Sequence, residues 1–231
     1  MFTVSPSIYS ADLLDLRKVL KEAEGFEHIH LDIDDGNFVR GISFGTALVG
    51  QIAKATSVPL DAHLEVLNPL DHVDGLAKAG VSLISAHLEV LDYPSLFLSR
   101  VHNLGKKAGI ALNLKTPVSF LEPYIGQFDQ LLLVSVEADE EGLPFRRGVL
   151  KKICQARELF GPDLPVWVDG GINDGNLKEV VEAGADGVVI GRAVFQAENF
   201  REAYEHYLNA GRAYEKEAGR NGKGRKENAV F

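Results

Sequence analysis

The stretch His30-Leu31-Asp32-Ile33-Asp34-Asp35-Gly36-Asn37-Phe38 decides how the rest of the chain is read. Taken as a strand, its side chains alternate, so His30, Asp32 and Asp34 share one face while Leu31 and Ile33 share the other. One face is apolar and the other carries side chains able to ligate a metal.

Working outward, short apolar runs alternate with amphipathic stretches along the chain, the pattern of βαβ units around a parallel sheet. Eight candidate strands can be marked: Thr3–Ile8, His28–Ile33, Leu60–Leu64, Leu83–Leu88, Ala108–Leu112, Gln130–Val136, Val166–Asp169 and Gly187–Ile190. Eight is the number that closes a (β/α)8 TIM barrel, and this is the fold expected. Apolar residues at three- and four-residue spacing predict helices over Ala11–Glu24, Pro69–Ala79, Pro94–Lys106, Gly148–Phe160, Asn173–Ala183 and Asn199–Glu217. Asn68-Pro69 has the form of a helix start, and Gly80, Gly161 and Gly184 stand where helices would stop. The segment 39–57 is long for a βα connection and is expected to hold a glycine-rich excursion and a short helix. Ala62-His63-Leu64-Glu65-Val66 recurs as Ala86-His87-Leu88-Glu89-Val90, a repeat that aligns the ends of the third and fourth strands. The expected organisation is one barrel domain over residues 1–217 followed by a polar tail over residues 218–231.

The 231 residues suffice for such a barrel as one unit. A formal net charge of −9 and a pI near 5.3 argue against general affinity for nucleic acid or an anionic membrane, and favour a small-molecule partner. Cys154 is the only cysteine, which excludes an intramolecular disulfide and a thiolate zinc cluster and suits a reducing cytoplasm. The opening MFTVSPSIYSADLLDL lacks a basic segment followed by an apolar core. No window approaches the ~18 apolar residues of a membrane span, so a soluble, unprocessed, cytoplasmic protein is expected.

In a barrel of this kind the carboxyl ends of the strands form the active face. His30 and Asp32 end the second strand, His63 and Glu65 the third, His87 and Glu89 the fourth, and Asp169 the seventh. Imidazoles and carboxylates converging from several strands suit a divalent transition metal with room for substrate oxygens. A single strand-end histidine is commonly only a hydrogen-bonded structural residue, so the combination carries the argument. His87 and Glu89 are read as a side-chain network lining the barrel. Gly170-Gly171 after the seventh strand and Gly191-Arg192 after the eighth let the backbone approach a ligand, where many such barrels hold a phosphate. Arg192 adds a bidentate cation, although the glycines also suit plain tight turns.

On these motifs the chain resembles the ribulose-phosphate 3-epimerase family over about residues 3–200. The matching segments are Ser5-Pro6-Ser7-Ile8 with Ser10-Ala11-Asp12, His30-Leu31-Asp32 with Asp35-Gly36-Asn37-Phe38-Val39, Asp61-Ala62-His63-Leu64, and Val168-Asp169-Gly170-Gly171. The resemblance implies a divalent metal (zinc, manganese, iron or cobalt) held by His30, Asp32, His63 and Asp169. It also implies a sugar-phosphate substrate touched by Ser7, a phosphate near Gly170, Gly171, Gly191 and Arg192, and a homo-oligomer of two or more copies. The implied reaction converts D-ribulose 5-phosphate to D-xylulose 5-phosphate through an enediolate, with Asp32 and Asp169 as the acid/base pair on opposite faces.

Departures from the family pattern concern the substrate. Asp34 and Glu65 stand where methionines are usual, so both are assigned to substrate binding, with pairing to Arg40 or a second cation as further options. The sixth loop reads Ala138-Asp139-Glu140-Glu141-Gly142-Leu143 in place of a glycine-rich gate, an acidic surround that repels phosphate unless cations such as Arg146 and Arg147 meet it. Two other readings stand beside the first: a related epimerase with a different sugar substrate, and a non-catalytic metabolite-binding barrel.

Overall fold

Each apolar run becomes a strand buried on both faces, and each amphipathic stretch that follows returns the chain to the same edge, so all the strands run parallel. The computed structural model describes residues 1–137 and 144–219. Its strands are β1 (Thr3–Pro6), β2 (Ile29–Asp34), β3 (Leu60–Glu65), β4 (Leu83–His87), β5 (Lys107–Leu112), β6 (Gln130–Val134), β7 (Val166–Asp169) and β8 (Gly187–Ile190). They form one sheet in the order β1-β8-β7-β6-β5-β4-β3-β2. A parallel bridge between Ser7 and His30 joins the two ends, giving a nearly closed (β/α)8 barrel.

The helices are α1 (Leu16–Glu22), α2 (Thr46–Ala55), α3 (Leu70–Ala79), α4 (Pro94–Asn103), α5 (Gly148–Phe160), α6 (Leu177–Ala183), α7 (Arg192–Phe195) and α8 (Phe200–Glu217). Several expected boundaries move for local reasons. The helix expected from Ala11 begins as a 3-10 turn over Leu13–Asp15, whose preceding Asp12 carboxylate accepts the Leu14 amide. α4 stops at Asn103, ahead of Lys106, because the chain turns at Gly105, whose amide bonds to the His102 carbonyl. Between β5 and β6 the outer layer is a 3-10 stretch, Val118–Tyr124, flanked by Pro117 and interrupted by Pro123. Proline lacks the amide an α-helix needs there, and the periodicity gave no helix signal. The acidic loop 138–143 and the tail beyond residue 219 lie outside the described residues. No helix among the described residues is long and apolar enough to cross a membrane.

The strand registers correct one expectation. The repeated pentapeptide equates His63 with His87, but β3 pairs with β4 so that His63 lies opposite Ser85 and Leu64 opposite Ala86. The strands of a barrel are staggered along its axis, so equal positions in sequence do not sit at equal heights. β4 consequently ends at His87, and Leu88–Val90 turns away as a 3-10 segment.

Two apolar clusters build the core. The larger packs the outward strand faces against the helices, with Phe2, Phe97, Ile110 and Leu64 among its fully buried members. The smaller, Ala111, Leu132, Trp167 and Val189, comes from β5–β8. β1–β4 contribute a different set of buried residues: Ser5, His30, Asp61, His63, Ser85 and His87. The barrel interior is therefore apolar on one side and polar on the other, and every polar group on that side needs a partner.

The last helix locks the first strand in place. The Phe2 amide donates to the buried Glu215 carboxylate at 2.9 Å, and the Phe2 ring occupies the space that any side chain at Gly211 would need. Phe2→Ala should lower stability by about 3–5 kcal/mol, the usual cost of deleting a buried phenyl ring. Urea denaturation checks this, the account requiring a clearly lower midpoint; an unchanged midpoint would show that α8 does not depend on this contact.

Candidate active site

The register of β2 on β3 places three polar pairs side by side: His30 with Asp61, Asp32 with His63, and Asp34 with Glu65. The alternation expected for His30, Asp32 and Asp34 thus holds, and β3 repeats it with Asp61, His63 and Glu65. His30 and His63 are buried. The Asp61 carboxylate accepts from Ser5 Oγ at 2.8 Å and lies against His30 Nδ1. That contact leaves His30 Nε2 facing Asp32 Oδ1 at 3.0 Å. His63 Nδ1 lies 3.3 Å from the same Asp32 oxygen and 3.8 Å from Asp169 Oδ2, so residues from β2, β3 and β7 meet at one point. Ser7 Oγ donates to Asp32 Oδ2 at 2.5 Å.

His30, Asp32, His63 and Asp169 each offer a ligand atom, and all four atoms lie within 4.8 Å of one another. Bonds of about 2.0–2.2 Å to a divalent ion separate neighbouring ligand atoms by about 3.3 Å, close to the distances present. A set of two imidazoles and two carboxylates suits zinc, manganese, iron(II) or cobalt. The donor set therefore fits such an ion.

Above this cluster opens a cavity of about 520 Å³ whose walls include Ser7, Asp32, Glu65, Asp169, Gly170, Gly171, Gly191 and Arg192. His30 and His63 stand behind it, and Asp34 is not in its lining. The Gly170-Gly171 turn needs glycine: both residues have positive φ, 99° and 64°. A Cβ at Gly171 would also come within 2.9 Å of the Phe145 amide nitrogen. Gly191 and Arg192 lie beside that turn because β8 follows β7 in the ring. Arg147 is not in the cavity lining; it forms a two-point pair with Glu179 at 2.8 and 2.9 Å.

The carboxyls of the site are pushed in opposite directions. For Asp32 burial favours the neutral acid, yet the His30 and His63 imidazoles outweigh it and hold the group below the usual carboxylate range. For Asp169 burial and the Asp32 charge act together, raising it to about 7. Asp34 rises to about 8 through burial and the adjacent Glu65, and Glu65 to about 7 through burial, which His63 opposes and Asp32 and Asp169 reinforce. His30 goes well above the ordinary imidazole value: burial opposes this, but Asp61 and Asp32 prevail.

Two parts of this arrangement were not among the expected site residues. Asp61 orients His30, and its signal was available: it stands two residues before His63 and so shares its face. Asn113 and Thr116, which bond to Glu89, were not foreseeable from spacing, because they follow β5 and reach Glu89 only through the fold.

Comparisons with known proteins show the family of the chain. The model of the ribulose-phosphate 3 epimerase family matches residues 3–195. Ribulose-phosphate 3-epimerase of Synechocystis sp. is 40% identical over 216 residues, covering 90% of this chain and 94% of that protein. The Bacillus subtilis enzyme of the same name is 35% identical over 209 residues, with 88% and 96% covered. The chloroplastic ribulose-5-phosphate-3-epimerase of Arabidopsis thaliana is 37% identical over 207 residues, with 87% and 74% covered. Among solved structures, orotidine 5'-phosphate decarboxylase from Pyrococcus horikoshii superposes with a TM-score of 0.65 at 17% identity, covering 91% of this chain and 99% of that one, a likeness of fold alone. By sequence, the chain belongs to the ribulose-phosphate 3-epimerase family and is an isomerase of the epimerase class.

Proposed function

We propose that the chain interconverts D-ribulose 5-phosphate and D-xylulose 5-phosphate, with Asp32 and Asp169 as its acid/base pair. The observation that carries this reading is the meeting of these two carboxyls, from β2 and β7, at one point of the cavity wall with their proton affinities pushed apart. Two acids held in different protonation states divide naturally into a base and an acid. The Asp32 carboxylate takes the proton from carbon 3, leaving an enediolate. The protonated Asp169 returns a proton to the opposite face, which inverts the centre. The reverse reaction uses the pair in the opposite sense.

His30, Asp32, His63 and Asp169 would hold a divalent cation, which supplies Lewis-acid stabilisation of negative charge on the substrate oxygens next to carbon 3. Ser7 orients Asp32 through its 2.5 Å hydrogen bond and borders the space for substrate. The phosphate is assigned to the turn Gly170-Gly171 with Gly191 and Arg192, where the backbone lies open to the cavity and a cation stands beside it. Glu65 contributes to the wall near the reacting carbon, with Asp34 beside it in the β2–β3 register.

Asp32→Asn and Asp169→Asn should each lower epimerisation by about 10²–10⁴-fold, the range for loss of a general acid or base. Each variant should exchange the carbon 3 hydrogen with solvent in at most one of the two epimers, which NMR in deuterium oxide reads. Retention of most epimerase activity by either variant would remove that residue from the mechanism. Chelation should abolish turnover, and zinc, manganese, iron(II) or cobalt should restore it; full activity after exhaustive chelation would contradict the metal assignment.

The raised carboxyls also fix a stability profile for the metal-free protein. Asp34, Glu65 and Asp169 keep their protons to about 8, 7 and 7 in the folded state but lose them near 4 when unfolded. Between pH 4 and 8 the folded state therefore binds more protons, and stability falls as pH rises. The denaturation midpoint should decline across this window, and Asp34→Asn with Glu65→Gln should flatten the decline. A midpoint rising from pH 4 to 8 would contradict these assignments.

A further inference from the structure

We infer that His87, anchored by Glu89, is a positioning residue that accepts the Nε2–H of His63 and thereby turns the His63 Nδ1 lone pair toward Asp32 and Asp169. The inference rests on the metal centre proposed above, since it explains how one of its ligands is prepared.

His63 and His87 are both fully buried, and their Nε2 atoms lie 2.9 Å apart. The ring centroids are 4.9 Å apart with planes 28° from parallel, so with the nitrogens in contact the rings meet edge to edge. Only one proton fits between two such nitrogens, and the far sides of both rings decide which carries it: His63 Nδ1 faces Asp32 at 3.3 Å, where a bound cation would take the lone pair. His87 Nδ1 lies 3.3 Å from Glu89 Oε2. Glu89 also accepts the Asn113 amide at 2.9 Å and the Thr116 hydroxyl. Burial raises its carboxyl, but the bonds from His87 and Thr116 outweigh this and hold it down at about 2.

An ionised carboxylate only accepts, so His87 must present Nδ1–H to it. Neutral His87 then has its lone pair on Nε2, and His63 must donate. Glu65 Oε1, 3.7 Å from His87 Nε2, is too distant to compete. With a cation in place of the proton that Asp32 would otherwise accept from Nδ1, His63 would keep its one proton on Nε2 for His87, the form a metal needs. Lys152, buried on α5, completes the chain: its Nζ donates to the Asn113 carbonyl at 2.6 Å and interacts favourably with Glu89. His30 is prepared in the mirrored sense, through Asp61 on Nδ1, which leaves Nε2 for the same point.

The test combines ring ¹H–¹⁵N correlations with zinc affinity measured by chelator competition. Zinc-loaded protein should show His63 as the Nε2–H tautomer and His87 as the Nδ1–H tautomer. His87→Leu removes the acceptor and should weaken zinc binding by about 10–100-fold, as other losses of an orienting partner do. His87→Gln, whose amide can accept from His63 and donate to Glu89, should bind zinc close to the wild-type level. His63 found as the Nδ1–H tautomer, or zinc bound equally tightly by wild type and His87→Leu, would overturn the inference. If the leucine variant does not fold, the wild-type tautomers still decide. A wild-type protein that binds no zinc would instead count against the metal centre, and a His87 tautomer other than Nδ1–H would still overturn the relay.

Discussion

The β2–β3 register is the constraint on which the rest of this structure depends. It lines up His30 with Asp61, Asp32 with His63 and Asp34 with Glu65. A slip of one residue would turn every one of these side chains outward and bring Leu31, Ile33 and Leu64 inside. The apolar outer faces of the same strands fix the phase, since Leu31 and Leu64 are wholly buried against the helices. The hydrophobic effect on one side of two strands thus sets the chemistry on the other.

That chemistry is costly to bury. Buried imidazoles and carboxylates are tolerated only when paired, and the pairing here is graded across the barrel. At the deepest rung Asp61 accepts from Ser5 and lies against His30; at the middle rung Asp32 and His63 meet Asp169 from β7; at the outer rung Asp34 and Glu65 lie side by side, and Glu65 raises the proton affinity of Asp34. The opposite side of the barrel, from β5 to β8, is filled by Ala111, Leu132, Trp167 and Val189.

Much of this was legible in the sequence because alternation and turn residues are local. β7, β8 and α5 have the limits that periodicity predicts, and the inward face of the second strand follows from spacing alone. Stagger is not local. The pentapeptide shared by residues 62–66 and 86–90 suggested equal strand ends, yet the register offsets them by two residues, and that offset brings His87 within reach of His63. The 3-10 stretch Val118–Tyr124 escaped notice because its prolines erase the helical signature while its length still fills the outer layer. The role proposed for Asp169 beside Asp32 came through resemblance to a family, because no spacing rule links β2 to β7.

The central claim is that this cluster moves a proton at carbon 3 of a ketose phosphate. Proton NMR of D-ribulose 5-phosphate incubated in deuterium oxide with the metal-loaded protein tests it directly. The account predicts loss of the carbon 3 proton signal together with formation of D-xylulose 5-phosphate deuterated at that carbon. A carbon 3 proton that persists with no epimer formed, in protein shown to be folded and metal-loaded, would contradict it.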